Sequence, residues 1–216
     1  MQIVPKQAVP IFPLPGVVLF PRTMVPLHVF ELRYRTMVRE ALSAERLLVL
    51  ALLKPGWDRD YHGSPEFHPL GCLARFEQVE WLPNDCYDIR VSGLCRVEIG
   101  PPVREYPYRA ARVRPRPQDP FGEDDPLIAL ERRALLDAFT RLARRAGGNA
   151  EAVTEKLAFE DAVNAACMTL ALDETTRMAL LDLDSLIERS RRVRELMEAR
   201  LRRKPPAAAG EGGEAN

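Results

Sequence analysis

Side chains with reactive potential are sparse in this chain of 216 residues: four cysteines, three histidines, four lysines and scattered carboxylates. A Ser-Lys pair would have to combine Ser64, in Gly63-Ser64-Pro65, with Lys54. Neither G-x-S-x-G, whose strained turn exposes a nucleophile, nor G-x-x-x-x-G-K-[ST], whose amides and lysine cradle triphosphate, occurs. His28, His62 and His68 fall in no zinc-ligand arrangement. His62 and His68 share a loop in which solvated histidines, rather than a metal pair, are expected. Cys72, Cys86, Cys95 and Cys167 contain no C-x-x-C pair, so reduced thiols are expected, with neither a disulfide framework nor a zinc site. Asp58 with Asp60, and Asp124 with Asp125, lie in polar stretches where nothing desolvates them, which suits turns and caps better than acid–base chemistry. No catalytic residue, metal or cofactor is expected, and the chain reads as non-enzymatic.

Binding has better material. Between Lys54 and Pro69 a long connection carries Trp57, Tyr61 and Phe67 among Gly, Pro and charged residues. Loop aromatics give contact area at small entropic cost and anchor protein interfaces. The alternative is that they fold back as a lid on the core beside them. A second candidate is basic: Arg104, Arg109, Arg112, Arg114 and Arg116 with Tyr106 and Tyr108 interleaved, a mixture able to track a phosphate backbone while stacking bases. A strand with one charged face has the same pattern. The helix ending the ordered chain carries Arg189, Arg191, Arg192, Arg194, Arg200, Arg202, Arg203 and Lys204, read as a solvated end or as partners for an acidic bundle, with nucleic acid as the sharper alternative. Overall, 31 Lys plus Arg balance 31 Asp plus Glu, so any electrostatic partner must meet a patch.

These residues need elements to hold them. Residues 1–118 contain 15 of the 19 prolines. Strands are expected at Val9–Phe12, Val25–Phe30 and Leu47–Leu53, with a helix marked by Phe30, Tyr34, Met37, Val38, Ala41 and Leu42 inserted among them. Cys72–Leu82 and Cys86–Ile99 bracket Pro83-Asn84-Asp85 as a hairpin, and Val103–Val113 is read as a closing strand. The pattern favours a curled β-sheet or half-open barrel over a doubly wound fold. Residues 119–204 read as a helical bundle. Asp124-Asp125-Pro126 opens its first helix, with Leu127, Leu130, Ala134, Leu135, Ala138 and Leu142 as the apolar face. Asn149 caps a segment that breaks near Phe159-Glu160-Asp161. Asp173 caps a short helix, and Ser185 with Glu188 opens the last, whose face is Ile187, Ser190, Val193, Met197 and Leu201. Residues 205–216 hold no large apolar residue and read as a disordered tail. The longest apolar run, Leu47–Leu53, is too short to span a bilayer, and the start lacks a signal-peptide pattern, so a cytoplasmic protein without membrane contact is expected.

Val9-Pro10-Ile11-Phe12-Pro13-Leu14-Pro15-Gly16-Val17-Val18-Leu19-Phe20-Pro21, then Val25-Pro26-Leu27-His28-Val29-Phe30-Glu31, resembles the opening of the N-terminal, substrate-binding domain of the ATP-dependent Lon proteases. Leu70-Gly71-Cys72-Leu73-Ala74-Arg75-Phe76 and Val91-Ser92-Gly93-Leu94-Cys95-Arg96-Val97 are similar to that family's internal strands. The resemblance covers residues 9–115 and, more loosely, the helices to Leu201. It implies an α+β fold: a PUA-like β pseudo-barrel with one inserted helix, followed by a C-terminal helical bundle, used to recognise partly unfolded polypeptides. In those proteases an AAA+ motor and a Ser-Lys peptidase follow; here the chain stops before them, so a stand-alone, non-catalytic recognition module of protein quality control is expected. RNA binding is the alternative, carried by Arg109, Arg112, Arg114 and Arg116.

Overall fold

The computed structural model describes residues 5–61, 63–147 and 157–202. Six strands precede most of the helices: β1 (Val9–Leu14), β2 (Met24–Val29), β3 (Leu47–Leu53), β4 (Phe67–Trp81), β5 (Tyr87–Arg104) and β6 (Ala110–Pro115), with α1 (Leu32–Leu42) between β2 and β3. The sheet order is β2-β5-β4-β3-β1-β6, and β6 pairs back onto β5. Five strands therefore close into a ring. β5 makes closure possible by its length of 18 residues. Along one edge its first part pairs with β2, from Tyr87 to Ser92, and its later part with β6, from Val97 to Arg104. The ring is a pseudo-barrel because β2 and β6 share that edge without meeting as neighbours in the sheet.

Every residue of β3 is buried, as expected of an apolar run covered on both faces. Leu47, Val49 and Ala51 pack with Val9, Ile11, Leu73, Val97 and Ala111, one cluster drawn from all five ring strands, which fills the barrel. Leu48 and Leu50 point the other way, into a cluster with Met37, Val38 and Ala41 of α1. Two motif glycines mark close approaches. A Cβ on Gly71 would lie 2.6 Å from the Leu50 carbonyl oxygen, and one on Gly93 would collide with the carbonyl oxygen of Phe20.

Val103–Val113 is not one strand. Val103 and Arg104 end β5, the chain turns through Glu105–Arg109 with a cis Tyr106–Pro107 bond, and β6 starts at Ala110. The strand-like pattern on both sides hides the turn, although Pro107, which cannot donate to a strand ladder, marks its place.

The further α-helices among the described residues are α2 (Pro126–Arg145), α3 (Phe159–Thr169), α4 (Glu174–Asp182) and α5 (Leu186–Arg202). Their starts follow local chemistry. Asp125 accepts from the Leu127 amide at 2.8 Å with proline in the first turn, and Asp173 accepts from the Thr176 amide at 2.8 Å. The Ser185 hydroxyl accepts from the Glu188 amide at 3.3 Å. The buried face of α2 is rotated from the expected one: Ile128, Glu131, Leu135 and Ala138 face inward, whereas Leu127 and Leu130 are exposed. Glu131 tolerates burial because Arg191 and Arg194 of α5 pair with it, at 2.7 and 3.5 Å. Asn149 and the tail from Pro205 lie outside the described residues.

The barrel and the helices share a core through the β1–β2 connection. Val18 and Phe20 from that connection, with Leu52 and Leu70, belong to the cluster that holds Phe159, Val163, Leu181 and Val193 of the helices. Polar groups complete the junction. Arg189, wholly buried, donates to the carbonyl oxygens of Leu180 (2.9 Å) and Leu183 (2.7 Å) and to Asn164 Oδ1 (2.9 Å), and Asn164 Nδ2 donates to the Pro21 carbonyl (3.0 Å). From the barrel side, Arg96 donates to the carbonyls of Leu181, Leu183 and Pro117 and pairs with Asp184 at 2.9 Å. Arg116 pairs with Asp182 at 2.5 Å and Asp184 at 2.8 Å. A buried cation is costly unless its donors are satisfied. Burial, followed by the nearby Arg96, lowers the Arg189 guanidinium to about 10.

Candidate functional site

An aromatic groove of about 450 Å³ opens at one end of the barrel. Pro13 at the end of β1, Leu32 to Tyr34 in the first turn of α1, Gly63 and Ser64 of the β3–β4 connection, and Glu105 to Arg109 between β5 and β6 line it. Tyr34 and Tyr108 are buried, whereas two large side chains stand out: Leu32 is 66% exposed and Tyr106 85%. Single exposed apolar residues are ordinary on protein surfaces, but two sharing one groove with aromatic neighbours form an adhesive surface.

The surroundings hold this groove firmly. Tyr34 packs against Phe12 with ring centroids 4.5 Å apart, and the Arg33 guanidinium lies 4.6 Å from the Tyr34 ring. Arg33 pairs with Glu31 at 2.9 Å and donates to the Tyr61 carbonyl at 2.9 Å, while the Tyr61 hydroxyl donates to Glu31 at 2.6 Å. The β3–β4 connection is thus fastened to the start of α1. Burial first, and the bonded Glu31 next, raise the Tyr61 phenol to about 12. On the far side the Tyr108 hydroxyl donates to Glu40 at 2.6 Å, and Arg104 pairs with the same carboxylate at 2.9 Å. Those two donors hold Glu40 below the ordinary carboxylate range.

Trp57, Tyr61 and Phe67, expected as loop anchors or as a lid, are each only partly exposed. Trp57 meets Tyr61 edge to face at 5.4 Å, and Phe67 packs on the barrel cluster beneath Arg109. They back the groove rather than stand out from it. Phe30 is also displaced from its expected helical face: it precedes α1, is exposed, and stacks with His28 at 6.1 Å. Leu32 was hidden in the sequence because leucine is a common helix former at any position. Tyr106 was visible only as one aromatic of a basic stretch.

The two basic stretches are largely neutralised. Arg104 pairs with Glu40, Arg114 with Glu98 at 2.5 Å, and Arg116 with the two aspartates of the junction. Arg109 donates to the Pro65 carbonyl at 2.7 Å; Arg112 alone of this set makes no hydrogen bond or ion pair among the described residues. In α5, Arg189 is in the core rather than on a solvated end, Arg191 and Arg194 serve Glu131, and Arg192 pairs with Glu195. Arg203 and Lys204 lie outside the described residues.

The residues considered for chemistry are apart. Lys54 pairs with Glu66 at 2.8 Å, and the Ser64 hydroxyl donates to Glu105 at 3.4 Å. His28 faces Asp88 at 2.6 Å on an exposed strand, and His62 lies outside the described residues. Among the described residues no group of three His, Cys, Asp or Glu side chains is placed to hold a metal. All four cysteines are free; burial raises Cys72 and Cys95 and takes Cys167 to about 12, so the thiolate needed for reactivity is disfavoured. No helix among the described residues is long and apolar enough to cross a membrane.

The sequence matches the family described as ATP-dependent protease La (LON) substrate-binding domain over residues 8–199. The chain belongs to the Lon substrate-binding domain family. It is 29% identical over 188 residues to Lon protease 2 of Herpetosiphon aurantiacus, covering 85% of this chain and 23% of that protein. It is 33% identical over 139 residues to the Lon protease of Chloroflexus aurantiacus, covering 63% of this chain and 16% of that protein. The chain thus spans less than a quarter of the length of these relatives. Among solved structures, the N-terminal domain of Mycobacterium avium complex Lon protease superposes with a TM-score of 0.66 at 19% identity, covering 89% of this chain and 98% of that one. The Lon N-terminal domain protein from Xanthomonas campestris gives 0.60 at 22% identity, covering 87% and 96%. These two share the fold, barrel and helices together.

Proposed function

We propose that this Lon-family domain is a polypeptide-recognition module acting in protein quality control, and that the groove beside α1 receives apolar segments of partly unfolded chains. The observation that carries this reading is the pairing of exposed Leu32 and Tyr106 over a floor made rigid by Tyr34 and Tyr108. A rigid aromatic surface binds at lower ordering cost than a mobile loop. Trp57, Tyr61 and Phe67 are assigned to supporting the groove from behind. Catalysis is assigned to no residue of this domain, in keeping with a match to the substrate-binding family. Ion pairs at Arg104, Arg114 and Arg116 weaken the support for RNA as the partner, and Arg109 and Arg112, which have no carboxylate within ion-pair distance among the described residues, are what that reading retains.

Binding of fluorescein-labelled, unfolded casein measured by anisotropy tests the reading. The Leu32→Ser, Tyr106→Ser double variant is expected to weaken binding about thirtyfold, since each exposed apolar anchor contributes of order 1 kcal/mol. Raising the salt concentration is expected to change affinity little, because apolar burial is not screened. Unaltered binding by the double variant would remove the groove from the account, and a steep salt dependence with retention of RNA would restore the nucleic-acid reading.

A further inference from the structure

Arg109 differs from the other arginines around the groove. Arg33 has Glu31, Arg104 has Glu40, and Arg35 has Asp85, each within ion-pair distance. Arg109 is half-buried and lines the groove, yet no carboxylate among the described residues lies within ion-pair distance of it. Its one side-chain hydrogen bond among those residues runs from Nη1 to the Pro65 carbonyl at 2.7 Å, and its guanidinium lies 4.7 Å from the centroid of the Phe67 ring. A guanidinium has five N–H donors in a fixed fork suited to a carboxylate. With Nη1 held by the carbonyl and the guanidinium beside the ring, the remaining donors are open to solvent, where an anion can reach them, and burial holds the proton affinity of the group below the ordinary arginine value. Glu105, also on the groove wall, takes a hydrogen bond from Ser64 and does not pair with Arg109.

We infer that Arg109 reads a carboxylate on the bound polypeptide, so that the groove prefers an aspartate or glutamate side chain next to a large apolar residue. The inference rests on the groove being the polypeptide site. A side-chain carboxylate is favoured over a chain terminus because Arg109 is recessed below exposed Leu32 and Tyr106. A side chain reaches down to it while the backbone stays at the rim, with the neighbouring apolar group against Leu32 and Tyr106. The charge-assisted bonds so formed are among the stronger ones in a partly desolvated site.

Labelled peptides that differ at one position decide the matter without altering the protein: a Leu-Phe-Glu peptide, its Leu-Phe-Gln counterpart, both with amidated C-termini, and the Leu-Phe-Gln peptide with a free terminal carboxylate. Binding of the glutamate peptide is expected to be about tenfold tighter than that of the glutamine peptide, the scale of one charge-assisted pair. The Arg109→Gln variant is expected to bring the affinities of the two amidated peptides to within about twofold of each other. Equal affinity for the two amidated peptides overturns the inference but leaves the groove standing as an apolar site. A gain confined to the free terminal carboxylate overturns the choice of an acidic side chain. Failure of every peptide to bind removes the groove reading itself, and the inference with it.

Discussion

Arginine does different work in two regions of this molecule. At the junction with the helices, Arg96, Arg116 and Arg189 are spent on carbonyls and carboxylates of the segment from Leu180 to Asp184. At the groove, Arg109 keeps donors that no carboxylate among the described residues meets, beside the exposed Leu32 and Tyr106. The first arrangement fixes two parts of a molecule; the second leaves unspent contacts of the kind a partner can use. Charge count does not separate them. What separates them is whether the acceptors belong to the chain itself.

The largest effect is expected at the junction. Arg189→Met removes the donors that satisfy Asn164 and two carbonyls, leaving buried acceptors unpaired, and is expected to cost about 3 kcal/mol of stability, read as the midpoint of urea unfolding. Unchanged stability would mean that packing around Phe20 alone joins the two parts. Gly93→Ala comes next, at about 2 kcal/mol, because the new methyl meets the Phe20 backbone and the β1–β2 connection must move. The same measurement on Leu32→Ser is expected to show a change within about 0.5 kcal/mol, since an exposed side chain contributes little to folding. A large loss there would place Leu32 in the structural half of the comparison.

A smaller, pH-dependent effect sharpens it further. Arg116 first, and Arg96 as well, hold the Asp184 carboxyl below its ordinary value against the opposing effect of burial. A depressed folded-state value means stability that is fully present above the unfolded-state value, near pH 4, and lost as the pH falls below it. Acid unfolding followed by fluorescence is expected to show this loss as the pH falls below about 4, and Asp184→Asn is expected to flatten it. An unchanged acid profile in that variant would leave Asp184 without a role in the junction.

Much of the fold was legible because its signals are local. Leu47–Leu53 is a buried strand over the residues its apolar run marks, and Asp125, Asp173 and Ser185 cap the helices they precede. The family motifs were legible too, but the reason for Gly71 and Gly93, room for a backbone passing close by, needs the closed ring. Features that depend on distant neighbours were misread. Leu130 looks like a core residue of α2 and is in water, whereas Arg189 looks like part of a solvated basic end and is wholly buried. The proposed groove likewise depends on distant neighbours. Trp57 and Phe67 are conspicuous by type, yet Tyr61, Glu31 and Arg109 tie their loop down; Leu32 and Tyr106 are unremarkable by type and become a surface only when α1 and the β5–β6 turn come together. Exposure is a property of the folded chain, and periodicity estimates it poorly at element ends.

Hydrogen–deuterium exchange of the domain, alone and saturated with unfolded casein, tests the division between the two regions most directly. Added protection is expected in Leu32–Tyr34 and Glu105–Arg109, with exchange of Leu180–Arg189 unchanged. Protection that appeared instead at Leu180–Arg189, or nowhere near the groove, would contradict it.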